Sequence, residues 1–172
     1  GTAHLMGVVS DGGVHGHLNH MVAAARALDA AGGPGVIHAV TDGRDVAPSS
    51  ALGYFAALEK ALPKGVRIVT VTGRYFALDR DTRWDRVAKA SAAILRGEGG
   101  SAPDALTAVQ SAYDRGETDE FVAATVIDGY KGAATGDGLF CLNFRADRAR
   151  EIMAALGAPA FDAYDTGPRP AW

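Results

Sequence analysis

The chain has 172 residues, 48% hydrophobic and 22% charged, with a formal net charge of −3. Those values fit one globular domain with a sizeable core, and the mildly negative balance argues against broad nucleic-acid or membrane-surface binding. The single cysteine, Cys141, excludes an intramolecular disulfide; no apolar stretch approaches the ~20 residues of a membrane span, and no basic leader precedes the first apolar run, so an intracellular, cytoplasmic location is expected.

Apolar runs of strand length alternate with longer helical patterns, which predicts an α/β fold: a single domain with a mostly parallel sheet flanked by helices. The first strand is read over His4 to Val9, followed by the glycine-rich turn Ser10-Asp11-Gly12-Gly13. A helix from His17 to Ala31 places Leu18, Met21, Val22, Ala25 and Leu28 on one face, and Gly32-Gly33-Pro34-Gly35 ends it. Val36–Val40 is the next strand. Pro48-Ser49-Ser50 then opens a helix to Leu62, stopped by Pro63-Lys64-Gly65. Val66–Thr72 follows as a strand, and Asp81-Thr82 is the expected N-cap of a helix from Arg83 to Leu95. Gly97-Glu98-Gly99-Gly100 terminates that helix. Ala102-Pro103-Asp104 opens another to Tyr113, Phe121 to Ile127 reads as a short strand, and Leu139–Leu142 as a buried strand containing Cys141 as a core thiol. A final helix runs from Arg148 to Leu156, and residues 157–172 read as a linker-like tail.

Three loops behind these strands carry arginine. They are Asp42-Gly43-Arg44-Asp45, the run from Gly73-Arg74 to Asp79-Arg80-Asp81, and Asn143-Phe144-Arg145-Ala146-Asp147-Arg148. In open α/β sheets ligands bind outside the carboxyl ends of the strands, and guanidinium forks arriving there from three strands suit a multiply anionic small molecule. An isolated Arg-Asp pair is worth little; the convergence is what carries the argument. Arg145 and Arg148, placed at a helix N-terminus, oppose the macrodipole unless an anion offsets them. Arg86 and Arg150 read as solvated helix surface. The turn after the first strand adds His15, a residue suited to hydrogen bonding or proton transfer near neutral pH. His15, His17 and His20 with Asp11 also have a spacing that permits a metal, against the plainer reading in which one histidine caps the helix and another is exposed. Thr118-Asp119-Glu120 reads as an acidic turn or a cap.

With these stretches in order, the chain resembles the cofactor-independent (2,3-bisphosphoglycerate-independent) phosphoglycerate mutase family, specifically its phosphotransferase or substrate-binding domain. The resemblance rests on Ser10-Asp11-Gly12-Gly13-Val14-His15, Asp42-Gly43-Arg44-Asp45, Gly73-Arg74-Tyr75, Asp79-Arg80-Asp81-Thr82-Arg83-Trp84-Asp85-Arg86, Thr118-Asp119-Glu120-Phe121-Val122 and Asn143-Phe144-Arg145-Ala146-Asp147-Arg148. It implies an isomerase of glycolysis and gluconeogenesis interconverting 3-phosphoglycerate and 2-phosphoglycerate. By motif match, His15, Arg44, Asp45, Arg74, Arg80, Arg145 and Arg148 would contact substrate, with Asp45 the catalytic residue for proton transfer. The resemblance places the phosphorylatable serine and two metal ions, commonly Mn2+, in a separate phosphatase-like domain of the same polypeptide. It supplies no metal ligand here, so residues 1–172 read as one domain excised from a larger enzyme and inactive alone. Gly16 stands where the family usually has serine, Thr41 where a larger apolar residue is common, and Phe76, Leu78 and Ala124 replace Tyr, Met and Pro. A stand-alone sugar-phosphate-binding module and a metal hydrolase using His15, His17 and His20 are the alternatives.

Overall fold

In the computed structural model, which describes all 172 residues, the strands are β1 (Ala3–Val8), β2 (Gly35–Thr41), β3 (Val66–Gly73), β4 (Gly100–Ala102), β5 (Thr125–Ile127) and β6 (Gly138–Cys141). They form one sheet in the order β4-β5-β3-β2-β1-β6. The four strands β3, β2, β1 and β6 run parallel, and β5 is antiparallel to β3. The helices are α1 (Leu18–Ala30), α2 (Ala51–Ala61), the single turn α3 (Arg74–Ala77), α4 (Trp84–Arg96), α5 (Ala105–Asp114) and α6 (Arg150–Gly157), with a 3-10 turn at Asp119–Phe121. No helix is long and apolar enough to cross a membrane.

The central strands are buried on both faces, and their alternate residues feed two cores. Leu5 of β1 and Ile37 and Ala39 of β2 pack against Met21 and Ala25 of α1, Phe55 and Leu58 of α2, and Val109 of α5. Met6, Val8 and Val40 face the opposite way, against Val87, Ala90 and Ile94 of α4 and Ile152 and Leu156 of α6. α4 follows its pattern: Val87, Ala90 and Ile94 fall on one stripe, Asp85 lies in the first turn and Arg96 in the last, and Gly97 closes the helix at φ 64°.

Several expectations change. The expected strand over Phe121 to Ile127 is a 3-10 turn followed by the three residues of β5. β6 is not a buried strand but an edge strand with alternate residues exposed; Phe140 is 58% exposed and Cys141 only half-buried. An edge needs a single core-facing side, and β6 has helical cover on one side only. The N-cap of α4 is not Asp81-Thr82: Thr82 has φ 56°, and the Asp79 carboxylate accepts from Arg83 N (2.9 Å) and Asp81 N (3.0 Å) instead. α6 begins at Arg150, so Arg145 and Arg148 lie in the loop before it rather than on its first turn. The one-turn α3 and the short β4 had no recognisable pattern.

The tail beyond α6 carries no helix or strand, yet it is docked. Phe161 and Tyr164 pack on Trp84, the Tyr164 and Ser91 hydroxyls hydrogen-bond at 2.6 Å, and Trp172 Nε1 donates to Leu156 O at 2.8 Å. The aromatic side chains explain the docking, since Trp84 offers them an apolar face.

Candidate active site

The loops after β1, β2, β3 and β6 meet at the carboxyl edge of four neighbouring parallel strands, the place where an α/β sheet receives its ligand. Asp42, the last buried residue after β2, builds the first loop. Its Oδ1 accepts from the Arg44 and Asp45 backbone N–H groups (3.3 and 3.0 Å), and its Oδ2 accepts from Ser10 Oγ at 2.6 Å. Gly43 at φ 66° makes the turn possible, since an added Cβ would lie 2.7 Å from Asp119 Cβ and 2.8 Å from Glu120 N. The 3-10 turn is therefore pressed against this loop. Thr41 Oγ1 donates to Asp119 O at 2.6 Å, which gives the hydroxyl at this position a structural use.

Arg74, 3% exposed at the start of α3, donates from Nη1 to Asp42 Oδ1 (2.5 Å) and Asp45 Oδ2 (2.6 Å). Burial acts to raise the Asp42 pKa, but Ser10, the Asp45 N–H and Arg74 outweigh it and hold the carboxyl below its usual range. Asp45 thus receives a charge-assisted hydrogen bond that fixes its carboxylate, and His15 Nε2 lies 4.0 Å from the same oxygen. His15 is buried; burial, with Arg74 and Arg145 adding to it, lowers its pKa, while Asp45 and Asp147 pull it back up.

From β6, Asp147 Oδ2 accepts from Arg80 (2.9 Å) and Arg145 (3.2 Å), and Arg148 donates to Leu78 O at 3.0 Å. Asn143 Oδ1 accepts from Val8 N at 3.1 Å, pinning this loop to β1. Arg44, Arg74, Arg80, Arg86 and Arg148 line one cleft of about 360 Å³ together with Tyr75, Asp79, Asp81, Glu120 and Phe121. Burial lowers the Arg148 pKa, and the neighbouring charges of Arg80, Arg74 and Arg44 lower it further. Cations so crowded favour an anion among them.

Arg44, Arg74, Arg80 and Arg148 therefore share the cleft; Asp45 joins it through its ion pair with Arg74, Arg145 through Asp147, which also pairs with Arg80, and His15 lies beside Asp45 at the edge. Arg86 corrects its surface assignment. It lies 3.8 Å above the Tyr75 ring, donates to Asp79 Oδ1 at 3.2 Å, and faces the cleft. Asp42 and Asp79, which sequence reasoning passed over, form the floors of the two strand-end loops. Their position immediately before Gly-Arg and Arg was the available signal. His17 caps α1, accepting from Asn19 N at 3.1 Å, and His20 is exposed on that helix. No three His, Cys, Asp or Glu side chains come together in a metal-holding group. Asp119 is a cap across the fold: Oδ2 accepts from Ser50 N (2.8 Å) and Ala51 N (3.0 Å) at the start of α2, and Tyr113 donates to Oδ1.

Known proteins share this sequence and fold. Residues 1–171 match the family model described as BPG-independent PGAM N-terminus. The 2,3-bisphosphoglycerate-independent phosphoglycerate mutases of Roseobacter denitrificans and Paracoccus denitrificans are 68% and 66% identical over 172 residues, covering 100% of this chain and 34% of each relative. The chain thus spans about a third of the length of those relatives. A crystal structure of Leishmania mexicana phosphoglycerate mutase, obtained at low cobalt concentration, superposes with a TM-score of 0.93 at 29% identity, over 99% of this chain and 34% of that one. The chain belongs to the family of N-terminal domains of the 2,3-bisphosphoglycerate-independent phosphoglycerate mutases.

Proposed function

We propose that this chain is the substrate-holding domain of a phosphoglycerate mutase that interconverts 3-phosphoglycerate and 2-phosphoglycerate in glycolysis. The observation that carries the reading is the convergence of Arg44, Arg74, Arg80 and Arg148 on one cleft, with His15, Asp45 and Arg145 at its edge. A phosphorylated glycerate bears a carboxylate and a dianionic phosphate, and planar guanidinium forks match both groups. Arginines already held by carboxylates need little reordering when the anion arrives. Asp45, fixed by Arg74, is the group assigned to take or return the proton of a glycerate hydroxyl.

The family's metal chemistry does not fit the donors of this chain, since no group of three or more His, Cys, Asp or Glu side chains is formed. The reading therefore assigns the two divalent ions and the phosphoryl-accepting serine to the remainder of the polypeptide. Within this chain, the arginines bind and orient the substrate, and Asp45 handles its hydroxyl proton. With a glycolytic role the protein is expected in the cytoplasm, which cell fractionation tests.

Calorimetry with 3-phosphoglycerate tests the reading. The chain should bind it weakly, and replacing Arg145 and Arg148 by alanine should abolish binding while the circular dichroism spectrum is kept. Unchanged affinity in that double variant contradicts the assignment. An enolase-coupled assay with Mn2+ should show no turnover by the 172-residue chain alone; turnover would remove the division of labour.

A further inference from the structure

His15 Nδ1 and Asp147 Oδ1 are both buried and both lack a hydrogen-bond partner, and they face one another at 3.9 Å. Two complementary polar atoms left unpaired so close together call for an explanation, because each carries a desolvation cost that one hydrogen bond would remove. The separation exceeds hydrogen-bond length by about 1 Å. What keeps Asp147 back is visible on its other oxygen, where Arg80 and Arg145, from two different loops, both donate to Oδ2. The backbone joins the two loops as well, since Phe144 N, three residues before Asp147, donates to His15 O at 2.9 Å. On the far side of the ring, Nε2 faces Asp45 Oδ2 at 4.0 Å.

We propose that Asp147 is the positioning residue of His15: its carboxylate accepts from Nδ1–H and so presents Nε2 toward Asp45 and the bound glycerate. The inference rests on the phosphoglycerate reading above for the identity of that ligand. Between Arg80 and Arg145, Asp147 Oδ2 holds the position that an anion suits. A phosphate or carboxylate arriving there takes over the two guanidinium groups and leaves Asp147 free to turn to His15. The hydrogen bond made by one ring nitrogen fixes which tautomer the imidazole adopts, so anion capture and histidine orientation become one event. The charged groups facing His15 are Arg74 from α3, Asp45 from the loop after β2, and Arg145 and Asp147 from the loop after β6. Of these, Asp45 and Asp147 favour the protonated ring and the two arginines oppose it.

The test uses the complete polypeptide that carries this domain, labelled with 15N at histidine, with 3-phosphoglycerate as the probe. With ligand, the His15 ring should be protonated at Nδ1. Asp147→Asn keeps an accepting oxygen but no charge; it should retain that tautomer while the His15 titration moves to lower pH. Asp147→Ala should lose the tautomer, with kcat falling on the order of tenfold and KM rising less. Loss of tautomer control in Asp147→Ala together with its retention in Asp147→Asn supports the inference. If Asp147→Ala leaves the His15 tautomer and kcat unchanged and raises only KM, Asp147 merely anchors the arginines and the inference is overturned. If instead the unmodified polypeptide neither binds nor converts 3-phosphoglycerate, the functional reading fails. Inorganic phosphate then replaces it as the probe of the Arg80–Arg145 site, and an unchanged His15 tautomer in Asp147→Ala still decides against the inference.

Discussion

One sheet carries two polar networks of opposite character. At its carboxyl edge, Ser10, Asp42, Asp45 and Arg74 are joined by charge, and further arginines crowd round them. In its middle, a line of two neutral histidines and a threonine crosses β1, β2 and β3 and ends on one carboxylate: Asp137 accepts from His4 Nε2 (3.1 Å), His4 Nδ1 accepts from His38 Nε2 (2.9 Å), and His38 Nδ1 accepts from Thr70 Oγ1 (2.9 Å). With one proton on each histidine, every ring nitrogen in that line is satisfied. Tyr130 and Trp172 close it off edge-on. The central network is complete and serves the fold. The edge network has charges and buried atoms left over, and surplus of that kind at a strand-end cleft is the signature of a site built for something else to enter.

The largest effect should come from the charged network. Arg74→Ala removes the cation shared by Asp42 and Asp45 and leaves Asp42, 3% exposed, as a buried carboxylate without its counter-ion. Breaking a buried pair from one side costs about 3–5 kcal/mol, read as a fall in unfolding free energy by urea titration. A loss below about 1 kcal/mol would mean that the cluster behaves as solvated surface charge, and the contrast between the two networks would collapse.

The histidine network should answer to acid. Burial places the His38 pKa well below its ordinary value, with His4 adding repulsion, and burial also lowers His4. Folded histidines with depressed pKa values bind fewer protons than the unfolded chain. Their stability is therefore intact above about pH 6.5, the unfolded value, and is lost as pH falls below it. The slope should reach at most about 1.4 kcal/mol per pH unit for each histidine held neutral. Urea titrations between pH 7.5 and 5 measure it, and His38→Gln should flatten the slope. A slope unchanged by that substitution would move the acid sensitivity to the carboxylates at the edge.

How far the sequence announces these features depends on what kind of force makes them. Arg44, Arg74, Arg80, Arg145 and Arg148 were legible because each follows an apolar run, and a strand end in an α/β fold dictates where a loop must lie. Which aspartates go inside was not. Asp79 and Asp81 flank Arg80 symmetrically in the sequence, yet Asp79 is buried and Asp81 exposed. Only the turn of the chain at Thr82, and Arg86 folding back over Tyr75, separates them. Arg86 sits on a helix whose pattern says surface, and a cation stacked on an aromatic ring leaves no periodic trace. β4 escaped notice because Gly100-Ser101-Ala102 has no β-branched or aromatic residue. β6 read as buried because an apolar run does not reveal that only one of its faces is covered. The line from His4 to Thr70 depends on strand register, which joins residues 34 and 32 positions apart.

A substitution at Gly43 sharpens the comparison from the backbone side. Gly43→Ala would put a Cβ 2.7 Å from Asp119 Cβ at a positive φ. Strain of that kind costs about 2 kcal/mol. Because Arg44 and Asp45 hang on the same turn, affinity for 3-phosphoglycerate should fall with stability. Calorimetry and urea titration on the one variant report both, and a full stability loss with unchanged affinity would detach the turn from the site.

The smallest effect is expected at Gly16, where the resembled family usually has serine. Its φ is not positive, so only space is at issue, and an added Cβ would sit 2.9 Å from Asn143 Oδ1 and 3.4 Å from Val8 Cβ. The side-chain amide can yield by a few tenths of an ångström, but its oxygen is the acceptor for Val8 N, the bond that pins the loop of Arg145 and Arg148 to β1. Gly16→Ser should therefore cost less than about 1 kcal/mol in thermal unfolding, with a several-fold change in 3-phosphoglycerate affinity as the more sensitive reading. If stability drops by much more, the Asn143 bond is rigid, and this chain's glycine is what allows that loop to approach β1 so closely. If neither quantity moves, the loop is held by Phe144 N on His15 O instead, and the edge network is anchored through the histidine rather than through β1.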